Sequence, residues 1–261
     1  MGIEARIIYE DEGMVVCNKP AGIATQTARV GQRDMVSEVT RYLARKQGTG
    51  KVPYVGVVHR LDQPVEGILV FAKDKKAAAE LSHQITAGEM GKYYQAVVCG
   101  KDIPAEGELE DYLWKDGKSN TSKVVAAGER DAKQAKLTFE VLQKKETEVA
   151  EETRQLALMR LHLLTGRHHQ IRVQMSHAGM SLLGDYKYAD PYTMEFSEKI
   201  QLKEIALCAN ELYLKNPRTK KKQVFRIEPE GKAFELFCQE EKGRESLEKS
   251  RIVPERETED R

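Results

Sequence analysis

Asp62 is the first residue of this chain whose type and setting could do chemistry. It ends the run His59-Arg60-Leu61-Asp62, between two apolar segments at 55–58 and 68–71 that read as strands. An aspartate at a strand end can close a turn by accepting nearby backbone N–H groups. It can also act as a nucleophile or as a general base. The local pattern alone favours the turn role and leaves the catalytic role open.

A second candidate is the pair Tyr93-Tyr94, which follows Lys92 at the start of an apolar run ending near Val98. Successive side chains of a strand point to opposite faces, so only one of the two tyrosines can face a given cleft. The simplest interpretation is one core tyrosine and one surface tyrosine.

A third candidate lies where the strand 155–164 gives way to a helix predicted over 167–178. The junction reads Thr165-Gly166-Arg167-His168-His169-Gln170-Ile171-Arg172. Backbone N–H groups of a first helical turn, together with arginine and histidine side chains, favour phosphate binding. A metal site is not expected, because the two histidines are adjacent and no carboxylate stands at ligand spacing.

Several common templates are absent from the sequence. It contains no G-x-x-x-x-G-K-[ST], no G-x-G-x-x-G before a helix and no G-x-S-x-G. The H-R-L-D order resembles the kinase catalytic loop only superficially, since no glycine-rich loop precedes it and no D-F-G follows it. The four cysteines are widely spaced and form no C-x-x-C pair, so we expect them to be buried apolar residues.

Composition bounds the class of protein. The 261 residues are 40% hydrophobic and 32% charged, with a net charge of +1, as in ordinary globular proteins. No run approaches 18 apolar residues, so no membrane segment is predicted. The segment 215–226 is strongly basic, which suits either phosphate contact or a solvated turn. Residues 239–261 are charged and poor in large apolar side chains, which predicts a disordered tail.

The predicted elements that must position these residues are mostly strands. Helices are predicted after Asp34, over 35–46, and over 75–86, whereas 101–133 reads as a polar loop with one short strand. Strands joined by short connections, with few helices, indicate an α+β fold with a mixed or antiparallel sheet.

Taken together, the motifs resemble the RluA-type family of RNA pseudouridine synthases. The resemblance rests on the ordered segments Asn18-Lys19-Pro20-Ala21-Gly22, His59-Arg60-Leu61-Asp62 with Gly67, Lys92-x-Tyr94, Thr165-Gly166-Arg167-x-His169-Gln170-Ile171-Arg172, Leu183-Gly184-Asp185 and Asn216-Pro217. They are spread over residues 7–230. The resemblance implies the pseudouridine synthase catalytic fold, a central sheet with flanking helices and a central cleft. It implies one catalytic domain over 1–238, with no separate N-terminal S4-like domain.

The resemblance also implies the chemistry. Asp62 would act at the reacting sugar, as a nucleophile on C1′ or as a base removing a sugar proton. Arg172 would pair with Asp62 and keep it ionised, and Tyr94 would stack on the flipped uracil. The reaction is an isomerisation that needs no cofactor and no metal.

The expected partner is RNA, with large-subunit ribosomal RNA favoured and transfer RNA next. DNA and membranes are not expected partners, and a cytoplasmic monomer is expected. Arg60 would fill the gap left by the flipped base. The residues implied to contact RNA are Lys19, Arg60, Leu61, Arg167, His169 and Gln170, and the basic strand near Lys220 would add phosphate contacts.

Two departures and two rival functions remain. Glu66 stands in a turn where many family members have Thr-Ser before the glycine, and Cys208 stands where histidine is commoner. One rival is an inactive RNA-binding protein, which the presence of Asp62 and Tyr94 disfavours. The other is a glycoside or nucleoside hydrolase, which would need a second carboxylate, and Glu66 is the nearest in sequence.

Overall fold

The computed structural model describes residues 3–29, 31–149 and 152–240. Their helices are α1 (Met35–Gln47), α2 (Lys75–Thr86), α3 (Gln170–His177) and α4 (Pro191–Lys199), with 3-10 helices at Ile3–Arg6 and Lys232–Glu240. Their strands are β1 (Ile7–Glu10), β2 (Met14–Lys19), β3 (Gly56–Val57), β4 (Glu66–Ala72), β5 (Gly91–Gly100), β6 (Glu106–Asp116), β7 (Thr121–Val125), β8 (Lys133–Val149), β9 (Glu152–Leu163), β10 (Met180–Leu182), β11 (Leu207–Lys215) and β12 (Lys222–Arg226).

Within these residues the twelve strands form one mixed sheet. Its main path runs β1-β2-β4-β11-β5-β9-β8-β6-β7, while β10 pairs with β5, β12 with β11 and β3 with β4. Among the strand pairs found here, β4 and β11 run parallel and the others antiparallel. The predicted α+β class with a central mixed sheet is confirmed.

The parallel pair lies at the centre of the sheet and depends on Gly67. This glycine has φ +133, and a Cβ there would lie 2.5 Å from the backbone nitrogen of Ala209. Any side chain at 67 would therefore force β4 and β11 apart. The glycine of the Asp62 motif is needed where the strand that follows Asp62 enters the sheet.

Both faces of the central strands are buried, which explains why β4 is apolar from Ile68 to Ala72 rather than alternating. On one face, Leu69 and Phe71 belong to the core that receives α1 and α3. On the other face, Ile68 and Val70 belong to the core that receives α2. A third cluster packs α4 and the last 3-10 helix against β5 and β11. Successive side chains of β5 point to opposite faces of the sheet. Tyr94 points to the face that packs against α1 and α3, and it belongs to the first of these cores.

The N-terminal strands are tied to the helices through Glu10. Its carboxylate contacts Lys46 and Lys73, each at 2.8 Å, and accepts a hydrogen bond from Tyr42 at 2.7 Å. Burial raises the pKa of Glu10, but these three donors outweigh burial and lower it to about 2. One carboxylate thus joins β1, α1 and the end of β4.

Three predictions about the elements need correction. The segment predicted as a polar loop, 101–133, contains the hairpin β6–β7, and α4 was not predicted. Residues 239 and 240 continue the last 3-10 helix, and the rest of the predicted tail lies outside the described residues. None of the helices in the described ranges is long and apolar enough to cross a membrane.

Candidate active site

A cleft of about 800 Å³ opens on the α1 and α3 side of the sheet. Its walls come from the segment before β4, the end of α2, the start of β5, the end of β9 and the loop leading into α3. Asp62 is the one carboxylate among the described lining residues, and the cations are Arg60, Lys92, Arg167 and Arg172. A cleft with this charge suits a polyanion that presents one reacting centre to a single acid.

The Asp62 carboxylate is free of the turn that contains it. The turn closes through the backbone, since Val65 donates its N–H to the Asp62 carbonyl at 3.1 Å. The preceding residue, Leu61, is fixed by two hydrogen bonds to the Thr25 hydroxyl, at 3.0 and 3.1 Å. The carboxylate instead faces Arg172 and His169, which leaves it available for chemistry.

Arg172 bridges two carboxylates rather than serving Asp62 alone. Its Nε and Nη2 donate to the two oxygens of Asp185 at 2.8 and 2.6 Å, while Nη1 reaches Asp62 Oδ2 at 3.4 Å. Arg172 and Asp185 are almost completely buried, whereas 28% of the Asp62 side chain is exposed. Burial raises the pKa of Asp62, and the positive charge of Arg172 opposes that rise. The arginine therefore favours the ionised carboxylate without fully offsetting its desolvation.

Asp185 is a site residue that the prediction missed, although the segment Leu183-Gly184-Asp185 was part of the resemblance. Gly184 has φ +72, and a Cβ there would lie 2.1 Å from the Glu204 carbonyl oxygen. This close approach requires glycine and sets the direction of the next residue. The signal in the sequence was a glycine followed by an acid, with no indication that the acid would reach Arg172.

His169 contacts Asp62 as a neutral ring. It has φ 54, which is uncommon for a non-glycine residue, at the position where α3 begins. Its Nδ1 lies 2.6 Å from the Tyr188 hydroxyl, and its Nε2 lies 3.6 Å from Asp62 Oδ2. Burial and the charge of Arg172 lower the pKa of His169 to about 3. The Tyr188 hydroxyl also accepts the Ser122 N–H at 2.9 Å, which holds the hydroxyl beside Nδ1 of His169.

Tyr94 lines the same cleft and is 6% exposed. Burial, with the nearby negative charge of Asp62, raises the pKa of its phenol. The hydroxyl therefore stays protonated at neutral pH, and Tyr94 offers an aromatic face and an O–H group rather than a phenolate. Its neighbour Tyr93 lies on the other face, stacked on His162 with ring centroids 4.3 Å apart.

The residues predicted to contact RNA divide into two groups. Arg60 and Arg167 are exposed at the cleft and can reach a bound molecule. The other four are almost completely buried, and their contacts with RNA stay a prediction: Lys19, Leu61, His169 and Gln170. Of these, Leu61, His169 and Gln170 line the cleft.

Lys19 and Gln170 also have hydrogen-bond partners inside the protein. The Lys19 ammonium donates to the carbonyls of Pro20, Ile23 and Gln63, and burial lowers its pKa to about 8. The Gln170 amide donates to the Lys136 carbonyl at 3.1 Å and accepts from the backbone N–H of Arg167 at 3.0 Å. Both residues shape the loops that carry the site.

Neither Glu66 nor the basic segment 215–226 lines the cleft. Arg218 and Lys220 pair with Asp74 and Glu80 of the α2 region, so their charges are already compensated. Glu66 is not among the residues lining the cleft, and its Oε1 accepts the backbone N–H groups of Glu230 and Gly231 at 3.0 and 3.1 Å. It cannot act as the second carboxylate that a hydrolase would require.

In the described ranges, no group of three or more His, Cys, Asp or Glu side chains is arranged to hold a metal ion. The cysteines whose side chains are described, Cys17, Cys99 and Cys208, are free and buried.

Known proteins match this chain over most of its length. The sequence profile of the RNA pseudouridylate synthase family matches residues 13–177. The tRNA pseudouridine synthase C of Vibrio vulnificus is 31% identical, over 88% of this chain and 93% of its own length. The dual-specificity RNA pseudouridine synthase RluA of Vibrio parahaemolyticus is 31% identical, over 82% of this chain and 78% of its own length.

The fold gives an independent likeness. The solved structure of human RNA pseudouridylate synthase domain containing 4 superposes with a TM-score of 0.69, over 87% of this chain and 90% of the human one, at 22% identity. At that identity the likeness supports the fold. The profile match and the sequence relatives show the family, and the chain belongs to the RluA-type family of RNA pseudouridine synthases.

Proposed function

We propose that this RNA pseudouridine synthase converts a uridine of transfer RNA to pseudouridine, with Asp62 as the catalytic residue. One observation carries the assignment of Asp62. It is the one carboxylate among the described residues of a cleft that also contains Tyr94 and four cations. A polyanionic substrate would be drawn to that cleft, and its reacting nucleotide would meet a single acid.

The reaction breaks the bond from N1 of uracil to C1′ of ribose and forms one from C5 to C1′. The proton lost from C5 is balanced by a proton gained at N1, so nothing is oxidised and no co-substrate is consumed. Asp62 would either attack C1′ or remove a sugar proton, and both routes require the ionised form. Arg172, 3.4 Å from Asp62, supports that form against the effect of burial.

Tyr94 would stack on the uracil after the nucleotide leaves its helical stack. A raised phenol pKa supports this role over one as a phenolate base. Arg60 would occupy the gap left in the RNA, and Arg167 would bind phosphate, since both are exposed at the cleft.

Transfer RNA is the first substrate to test. The relative named for transfer RNA is matched over 93% of its own length. The sequence-based expectation put large-subunit ribosomal RNA first, and it remains the alternative that the experiment must separate. We place the reaction on one catalytic domain over 1–238, because the residues that line the cleft lie between Val58 and Leu207. We propose that this domain acts as a monomer in the cytoplasm.

Mapping pseudouridine in total RNA with and without this gene tests the substrate. Loss of a site in transfer RNA is the expected result, and loss only in ribosomal RNA would overturn that choice. Asp62→Asn tests the catalytic residue, since it should abolish pseudouridine formation while leaving RNA affinity within about threefold. Turnover by this variant would refute the assignment.

A further inference from the structure

Lys92 brings a positive charge into the cleft without a partner to neutralise it. It is half-buried at the start of β5 and lines the cleft. Among the described residues, no carboxylate and no hydrogen-bond acceptor is found for its ammonium. Gly166 lies beside the ammonium, since a Cβ built on this glycine would lie 3.4 Å from Lys92 Nζ.

Other enclosed lysines of the chain do have partners. Lys73 contacts Glu10 at 2.8 Å, Lys136 contacts Glu108 at 2.6 Å, and the buried Lys19 donates to three carbonyls. Removing an ammonium from water is costly unless an anion or acceptors replace the lost hydration. Burial accordingly lowers the pKa of Lys92, and no compensating interaction accompanies that effect.

The titratable groups around Lys92 cannot neutralise it. Burial lowers the pKa values of His59 and His162, and the positive charge of Lys92 lowers them further, so both rings are neutral. Asp62, the carboxylate of the cleft, is occupied by Arg172 and His169. An anion bound in the cleft would supply this negative charge.

We propose that Lys92 binds a backbone phosphate of the RNA directly beside the flipped nucleotide. The proposal rests on the proposed function, since it requires RNA in this cleft. Lys92 and Tyr94 share one face of β5 and are about 7 Å apart along the strand, the scale of a single nucleotide. Gly166 has no side chain to fill the space beside the ammonium, and the following Arg167 is exposed. A phosphate there would face Lys92 while the attached base reaches Tyr94.

Neutral phosphates provide a direct test of this contact. Each test RNA carries one methylphosphonate, placed in one of the linkages that flank the target uridine. The sugar at that linkage is 2′-O-methylated both in the test RNA and in the control RNA, which keeps the normal phosphate. Binding is measured in an Asp62→Asn background, so the RNA is not consumed. The compared proteins have Lys92, Lys92→Met or Lys92→Arg, and Lys199→Met on α4 serves as an exposed-lysine control outside the cleft.

With Lys92 present, one flanking methylphosphonate should weaken binding by about tenfold. Lys92→Met should weaken binding of normal RNA by about tenfold, and the same methylphosphonate should then cause no further loss. Lys92→Met should also reduce the salt dependence of binding by the equivalent of about one phosphate. Lys92→Arg should retain most of the affinity, and Lys199→Met should behave like the parent protein.

The role of Lys92 would be overturned if the losses of affinity caused by Lys92→Met and by a methylphosphonate were additive at every flanking phosphate. An unchanged salt dependence of binding in Lys92→Met would also overturn it. So would a parent protein that is insensitive to every flanking methylphosphonate, a result that needs no Lys92 variant. Circular dichroism of each variant separates lost contact from lost fold. Failure of the proposed function gives a different pattern, because the unmodified enzyme would then form no pseudouridine in any RNA.

Discussion

The Arg172 bridge makes Asp185 a test of how Asp62 is tuned. Asp185→Asn removes one negative charge from a buried pair whose contacts are 2.6 and 2.8 Å long. Removing one partner of a buried ion pair costs about 3 kcal/mol, because the other charge stays enclosed. For a chain of this size that loss lowers the melting temperature by roughly 6–12 °C.

The same substitution should move the pH dependence of catalysis in a defined direction. Burial raises the pKa of Asp62, Arg172 lowers it, and the negative charge of Asp185 raises it. Since the proposed mechanism needs ionised Asp62, activity should be lost as pH falls through this raised pKa. Without Asp185, the guanidinium charge acts on Asp62 alone. The acid limb of the rate profile should therefore shift to lower pH.

The acid limb of the rate profile is measured by the release of tritium from RNA labelled at C5 of uridine, in single-turnover reactions at a series of pH values. Asp111→Asn is the matched control, because Asp111 contacts Gln174 and His177 of the same helix α3 without lining the cleft. It should leave the limb in place. An Asp185→Asn limb that stays in place or moves to higher pH would refute the bridging role of Arg172.

Three further outcomes are expected. Glu10→Gln should cost about 3 kcal/mol of unfolding free energy at pH 7. Because the folded pKa of Glu10 is depressed, this difference should vanish in denaturant titrations as pH falls from about 4.5 to about 2, and a difference that persists below pH 2 would contradict the ion pairs. Lys19→Met leaves three carbonyls without a donor and should lower the unfolding free energy by about 2 kcal/mol, and unchanged stability would show that water replaces the ammonium. In the Asp62→Asn background, Tyr94→Leu should weaken RNA binding by about tenfold and Tyr94→Phe by less than about twofold; equal losses would refute stacking.

The class of fold could be predicted from the sequence because the strands and helices carry strong local signals. Asp34 and Asp74, for example, cap α1 and α2 by accepting backbone N–H groups of the first turn. Only one short strand of the hairpin β6–β7 was predicted, because its strands alternate charged with half-buried residues and look like a polar loop. The omission matters for the site, since Ser122 of β7 donates its N–H to the Tyr188 hydroxyl that orients His169.

The site itself was predictable where the chemistry is carried by residue type and recognisable spacing. Asp62, Tyr94 and Arg172 were predicted from the motifs of the family resemblance, and all three line one cleft, while their catalytic roles stay a prediction. The internal roles of Lys19 and Gln170 were not predictable. A lysine near a reactive acid reads as a ligand for RNA until the surrounding carbonyls are known, and those carbonyls come from Pro20, Ile23 and the distant Gln63.

The parallel pairing of β4 with β11 has a consequence for how this protein is made. Glu66 pairs with Cys208 across more than a hundred residues of chain, so the centre of the sheet cannot close until most of the sequence has left the ribosome. Pairing of this kind has a high contact order and slows folding. Arg172 and Asp185 also follow Asp62 by more than a hundred residues, which means that a partly synthesised chain carries the acid without its guanidinium. Catalytic competence should therefore arise late, together with closure of the sheet, and N-terminal fragments should be inert toward RNA.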